Sequence, residues 1–184
     1  IQQFVEEGEL LPSIEKIVAK TKADLIVMGR TGKGSLFDKL IGSVATKVAL
    51  EGPCPVLIVP PQFVAKPLQE VVYATQLEYD ESSVLDRVVP LMTFMGGRLT
   101  FLKVSSLMQA DRHDDQLFIN QIIQRYQLGR EDIIISDSGD VVEGIEAYCQ
   151  SIKADLLIVS ARKRSLLESI LGGRSVTKKL VLET

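Results

Sequence analysis

The stretch that decides the fold runs from a short apolar segment into a glycine-rich loop, Ala23-Asp24-Leu25-Ile26-Val27-Met28-Gly29-Arg30-Thr31-Gly32-Lys33-Gly34. The apolar residues predict a buried strand, and residues 39–51 predict a helix. A strand that passes through glycines into a helix is a common way to bind an anion. Glycine lets the backbone approach a ligand, and the helix N-terminus presents unpaired N–H groups. This stretch alone leaves open a glycine-rich turn that binds nothing.

The composition is that of an ordinary globular protein with a core, since 46% of the 184 residues are hydrophobic, 24% are charged and the net charge is −3. No excess of positive charge indicates nucleic acid or an anionic membrane as a partner. No apolar run is long enough to span a membrane and no signal peptide is present, so we expect a cytoplasmic location. With one histidine and two distant cysteines, we assign no catalytic and no metal-binding residue.

Short apolar strands alternate with amphipathic helices along the whole chain. The first predicted strand ends at residues 5–8, just before the first helix. The other predicted strands are residues 24–28, 55–60, 71–75, 99–104, 133–135 and 154–158. Helices are predicted between them, with residues 82–95 closed by Gly96-Gly97 as one example. The alternation predicts an α/β fold, a parallel sheet sandwiched by helices on both faces.

The chain also contains an internal repeat. Residues 23–27 resemble residues 154–158 at an offset of 131, and residues 35–38 resemble residues 165–168 with a shift of one. Gly8 stands fifteen residues before Ala23, as Gly139 does before Ala154. The sequence therefore predicts a tandem repeat of two structural copies.

The same offset predicts that neither copy is complete in this sequence. The counterpart of the strand at residues 71–75 would precede Ile1, and the counterpart of residues 55–60 would follow Thr184. We predict that residues 1–62 are the C-terminal half of a first domain and residues 63–70 a linker. Residues 71–184 would be a second domain without its last strand.

The glycine loop carries a resemblance to a known family. Gly29, Gly32, Gly42 and Ser43 follow the spacing glycine, two residues, glycine, nine residues, glycine, serine. With the repeat, this resembles the universal stress protein family in its tandem two-domain form, over essentially the whole chain. The resemblance implies a five-stranded parallel sheet of the Rossmann-like, adenine nucleotide alpha hydrolase-like type, with the ligand at the carboxyl ends of the strands.

The ligands that family members bind indicate which site to expect in this chain. The resemblance implies ATP, with Mg²⁺ accompanying the nucleotide, in the first copy only. It also implies pairing through the last strand, residues 55–60, either within the chain or in a homo-oligomer. The residues expected to line the phosphate and ribose are Met28, Gly29, Gly32, Gly42, Ser43 and Val44.

The second copy departs from the family's loop. Ser160 and Lys163 stand at the positions of Gly29 and Gly32, and the first strand ends in Thr75-Gln76 where nucleotide-binding members usually carry an acidic residue. Side chains then occupy the space where backbone meets phosphate, so we interpret this second site as degenerate.

Three functions remain open from the sequence. The first is a stress-response, nucleotide-binding regulatory module that is not an enzyme. The second is a structural dimerisation protein of the same family that binds no nucleotide, and the third is a slow ATPase. A Walker loop is excluded because Gly32-Lys33 is followed by Gly34 rather than by serine or threonine.

Overall fold

The computed structural model describes residues 1–29, 43–61, 63–77, 81–105 and 115–160. They form two compact units, the first within residues 1–64 and the second within residues 65–160. The predicted site residues Gly32 and Gly42 lie outside the described residues, as does Lys163 of the second copy. None of the described helices is both long enough and apolar enough to cross a membrane.

In its described residues, the first unit contains two helices and a two-stranded parallel sheet. Its elements are α1 (Leu10–Thr21), β1 (Ile26–Gly29), α2 (Ser43–Glu51) and β2 (Val56–Val59). The two strands run in register from Ile26 beside Val56 to Gly29 beside Val59. The strand predicted before α1 is wrong, because residues 1–7 pair with no described strand and the segment only bends at Gly8, whose φ is +134°.

The second unit contains a four-stranded parallel sheet with helices between its strands. Its elements are β3 (Glu70–Ala74), α3 (Ser82–Met95), β4 (Arg98–Ser105), α4 (Asp115–Tyr126), β5 (Ile133–Asp137), α5 (Val141–Ile152) and β6 (Leu156–Val159). The strand order is β5-β4-β3-β6, so the chain crosses from the β5 edge to the β6 edge through α5. This confirms an α/β fold with parallel sheets. The described strands form sheets of two and four, so the single five-stranded sheet implied by the resemblance is not seen among them.

The core of the second unit lies between its sheet and helices α3 and α4. Tyr73 and Phe101, from neighbouring strands, are fully buried and meet edge to face with ring centroids 5.8 Å apart. Leu85 and Phe118 pack against them from α3 and α4. Burying side chains of this size contributes about 1.5–3 kcal/mol each, which favours the apolar residues at the centres of β3 and β4.

Two helices, one in each unit, match residue for residue at the repeat offset of 131, and the strands that follow them, β1 and β6, begin within one residue of that offset. Helices α1 and α5 both have 12 residues, and each ends at a lysine in the left-handed conformation, Lys22 at φ 54° and Lys153 at φ 55°. The next N–H, of Ala23 or Ala154, donates to the carbonyl of Val18 or Cys149 respectively. Both helices therefore lead into β1 and β6 through the same turn.

Candidate functional site

The carboxyl end of β1 is open at the glycine that begins the predicted loop. Gly29 is exposed, and a Cβ built on it would meet no atom within 4 Å. Neighbouring Val59 ends β2 at the same level of the sheet. In parallel α/β sheets ligands bind at this edge, so the backbone of Gly29 is accessible where a ligand would lie.

Helix α2 is held with its first turn against this end of the sheet. Ala45 is only 3% exposed, and Met28 and Ile58 pack against it from the two strands. Its neighbour Val44 is half exposed, and the first turn of α2 contains no acidic residue. Within α2 itself, therefore, no carboxylate lies at the first turn, where the N-terminal N–H groups and the positive end of the helix dipole are found.

These contacts place part of the predicted site. Met28 anchors the strand end, Gly29 is open to solvent, and Ser43 and Val44 begin the helix. The structure brings the strand end and the helix start to the same edge of the two-stranded sheet. Gly32 and Gly42 lie outside the described residues, and their role stays a prediction.

The corresponding edge of the second unit is filled by its own side chains. At the end of β3, the Thr75 hydroxyl donates to the Glu81 carboxylate, and the Gln76 N–H donates to the same group at 3.0 Å. The Leu77 N–H donates to the Thr75 oxygen at 2.8 Å, with Leu77 at a φ of 57°. Glu81 is only 3% exposed, so this network is enclosed.

Glu81 is a residue that the sequence analysis missed. The sequence places Thr75-Gln76 at the strand end without an acid, yet the structure returns a carboxylate to that point from the residue preceding α3. The only signal in the sequence was an acidic residue immediately before Ser82-Ser83 at a helix start. Because its oxygens are already occupied by Thr75 and Gln76, this carboxylate does not face solvent as a ribose acceptor would.

A second buried carboxylate lies at the amino end of the same sheet. Asp155, just before β6, accepts hydrogen bonds from the N–H groups of Gln69 at 2.8 Å and Glu70 at 3.1 Å, and pairs with Lys66. Its side chain is 4% exposed. The lysine and the two N–H groups lower the pKa of Asp155 to about 2. This group therefore fixes the position where β3 enters the sheet.

Metal-binding clusters are not found in the part of the chain that the structure describes, where no three His, Cys, Asp or Glu side chains come together. The described part of the candidate site consists of backbone groups and a helix end, which are groups that can bind an anion.

Comparison with known proteins supports the universal stress protein family. Residues 1–60 match the model of the universal stress protein family. A universal stress protein of Methanocaldococcus jannaschii is 51% identical over 53 residues, which are 29% of this chain and 31% of that protein. The aligned region therefore spans about a third of this relative's length.

Two crystal structures resemble nearly the whole chain. A universal stress protein of Archaeoglobus fulgidus has a TM-score of 0.64 and 25% identity, over 94% of this chain and 62% of that one. A Pseudomonas aeruginosa protein assigned to the same family has a TM-score of 0.69 and 16% identity, over 97% of this chain and 66% of that one. The first supports the family, and the second shows that the fold is shared.

Proposed function

We propose that this chain is part of a tandem universal stress protein whose first unit binds an adenine nucleotide, ATP in the first instance. One observation carries this proposal: the open Gly29 and the acid-free start of α2 lie at the carboxyl edge of one parallel sheet. An anion bound there would meet backbone N–H groups on two sides. Met28, Gly29, Gly32, Gly42, Ser43 and Val44 would form the phosphate side of the site.

In the second unit the carboxyl end of the sheet has a structural role at β3, a strand that has no counterpart among the described residues of the first unit. The closed network of Thr75, Gln76 and Glu81 occupies the strand end. A nucleotide entering there would have to displace buried hydrogen bonds to a carboxylate, each worth about 1.5–3 kcal/mol. We therefore propose that nucleotide binds to the first unit alone and that the second unit is structural or regulatory.

In this proposal the nucleotide is bound and is not turned over. Mg²⁺ would arrive with the phosphates and be held by them. Burial of Cys149 on α5 raises its pKa to about 11, so at neutral pH this side chain is a thiol rather than a nucleophilic thiolate. We also propose that the protein assembles through β2, which would pair with the other unit or with a second chain.

Titration calorimetry with ATP, ADP and AMP at millimolar concentration tests the site directly. We expect saturable heat with ATP for the full-length protein, and its loss in the Gly29→Val, Gly42→Val double variant. Valine at these positions would put side chains where the backbone meets phosphate. Release of inorganic phosphate, measured in the same samples, separates binding from slow hydrolysis.

Gly139→Val provides the matched control. Gly139 is also exposed, and a Cβ built on it would also meet nothing within 4 Å, but it lies before α5 in the second unit. We expect this variant to bind ATP as the unmodified chain does. Equal binding by the loop double variant, or no heat from the unmodified full-length protein, contradicts the proposal and favours the structural dimerisation protein.

A further inference from the structure

Helix α3 is apolar on two sides. Leu85, Val89 and Met92 are buried in the core of the second unit. On the opposite side of the helix, Phe94 is 89% exposed and Leu91 is 44% exposed. A helix at the surface of a globular protein has one apolar side and one polar side. A second apolar side therefore indicates that another protein surface covers it.

The exposed side of α3 carries one continuous stripe that begins with an arginine. The stripe consists of Arg87, Pro90, Leu91 and Phe94, which are separated by three, one and three positions. These spacings place the four residues on one face of the helix, next to one another along its length. All four side chains are exposed.

The charge of Arg87 is not balanced within its own helix. Asp86 is the only acidic residue of α3, and it accepts hydrogen bonds from the Arg125 guanidinium and the Tyr126 hydroxyl, both at 2.7 Å. It is therefore directed toward α4. Arg87 itself forms no ion pair with any of the described residues. Its guanidinium is thus available to a group of a partner, such as the face of an aromatic ring.

The order of spacings in the stripe is the same in both directions along the helix. We propose that this face of α3 is a contact between two copies of the chain, with the two helices antiparallel about a two-fold axis. With the axis between Pro90 and Leu91, Arg87 of each copy would lie over the Phe94 ring of the other. Pro90 of each copy would meet Leu91 of the other. A two-fold contact requires this reciprocity, and the stripe provides it at all four positions.

The residue types favour a second copy over an acidic partner. An acidic partner would be attracted by a single charge, whereas a second copy uses every residue of the stripe. An arginine over an aromatic ring is a favourable cation–π pair, and the contact contains two of them. The two Arg87 side chains would be about 10 Å apart along the helices, which limits their repulsion. A single pair of helices buries less surface than a permanent dimer does, so we expect a reversible dimer.

This contact uses other elements than the two proposals made above. Helix α3 belongs to the second unit, whereas β1, α2 and β2 belong to the first. Loss of nucleotide binding or of pairing through β2 therefore leaves the α3 contact standing, and its failure leaves them standing.

Sedimentation velocity of the full-length protein over a range of concentrations tests the contact. We expect a reversible association of two copies. Phe94→Arg should weaken it by at least about 10-fold, because the variant loses both cation–π pairs and places arginine opposite arginine. The exchange variant, Arg87→Phe with Phe94→Arg, should restore association, because each arginine again faces a ring. Since both positions are exposed, circular dichroism should give the same unfolding midpoint for all of these proteins.

Crosslinking locates the contact on α3. Leu91→Cys, next to the proposed axis, should be joined to its counterpart in the second copy by a short bismaleimide. Ser83→Cys is the matched control, because Ser83 is also exposed on α3. Its two copies would lie about 22 Å apart along the helices, so no crosslink is expected. The unmodified protein, which contains Cys54 and Cys149, gives the background.

Three results would overturn the proposal. The first is a full-length protein that shows no association and no crosslink through Leu91→Cys, because α3 is then not a contact between copies. The second is an association that Phe94→Arg leaves unchanged, because the copies then meet elsewhere, for example through β2. The third is an association that Phe94→Arg weakens and the exchange variant does not restore, because the two helices then do not pair in this register.

Discussion

The pair α1–β1 and the pair α5–β6 differ in their surroundings much more than in their sequence. Both helices have 12 residues and end at a left-handed lysine, and both strands follow an aspartate. In the second unit that aspartate is buried and hydrogen-bonded, whereas in the first it is in water. In the second unit the burial of the aspartate follows from the neighbouring strand β3, whose first N–H groups donate to it.

The largest expected difference in the free energy of unfolding is between replacement of Asp155 and replacement of Asp24. Asp155→Ala should lower the free energy of unfolding of the second unit by about 3 kcal/mol, because it leaves two N–H groups and Lys66 without their acceptor. Asp24→Ala should change stability by less than about 0.5 kcal/mol, as expected for an exposed residue. Urea unfolding followed by circular dichroism measures both.

The pH dependence of the free energy of unfolding shows whether the Asp155 carboxylate provides this stabilisation. Its pKa is about 2 in the folded chain and 3.8 ordinarily, so its stabilisation is present above about pH 4 and is lost as the pH falls toward 2. Asp155→Asn should flatten the stability curve in that window, and Asp24→Asn should not. If the free energy of unfolding of both variants has the same slope against pH, the two aspartates do not differ in their effect on stability.

A smaller effect is expected on the helices. Gly144 of α5 corresponds to Ser13 of α1, and a Cβ on Gly144 would lie 2.6 Å from Val104 Cγ1 and 2.9 Å from Ser138 Cβ. Gly144→Ser should therefore cost about 2 kcal/mol through overpacking. Ser13→Ala should stay within about 0.5 kcal/mol, by the same unfolding measurement. If Gly144→Ser leaves the free energy of unfolding unchanged, the close approach of α5 to β4 does not require a glycine at this position.

The smallest expected difference is on the strands themselves. Ile158→Ala should cost about 1.5 kcal/mol, below the range for a fully buried isoleucine because Ile158 is only partly buried. Val27→Ala, at 60% exposure, should cost less than about 0.5 kcal/mol. Thermal unfolding of the two variants gives both values.

Most of the secondary structure could be predicted because it follows from local patterns. The helix predicted at residues 82–95 has those bounds, and Gly96 closes it with a φ of 75°. Helix α4 ends before Gly129, since Gln127 takes the left-handed conformation and the Leu128 N–H donates to the Ile123 carbonyl. Non-glycine residues occupy this conformation at a cost that local sequence does not reveal.

The candidate site was only partly predictable. The glycine spacing indicated the loop, and the structure confirms that its two flanking elements, β1 and α2, meet through Met28 and Ala45. The network of Thr75 and Glu81 could not be foreseen, because it depends on the path of the chain between a strand end and the next helix. The anchoring role of Asp155 depends on residues more than 80 positions away.

By itself, the sequence determined the order of strands and helices, the correspondence of residues 23–27 with residues 154–158, and the position of the glycine loop. These are properties of neighbouring residues, for which backbone periodicity and turn chemistry are sufficient. Only the tertiary structure decided that Asp155 is buried and Asp24 is not, that Glu81 closes the end of β3, and that Gly144 lies against Val104. Each of these depends on a second segment brought close by folding, and no local pattern encodes which segment that is.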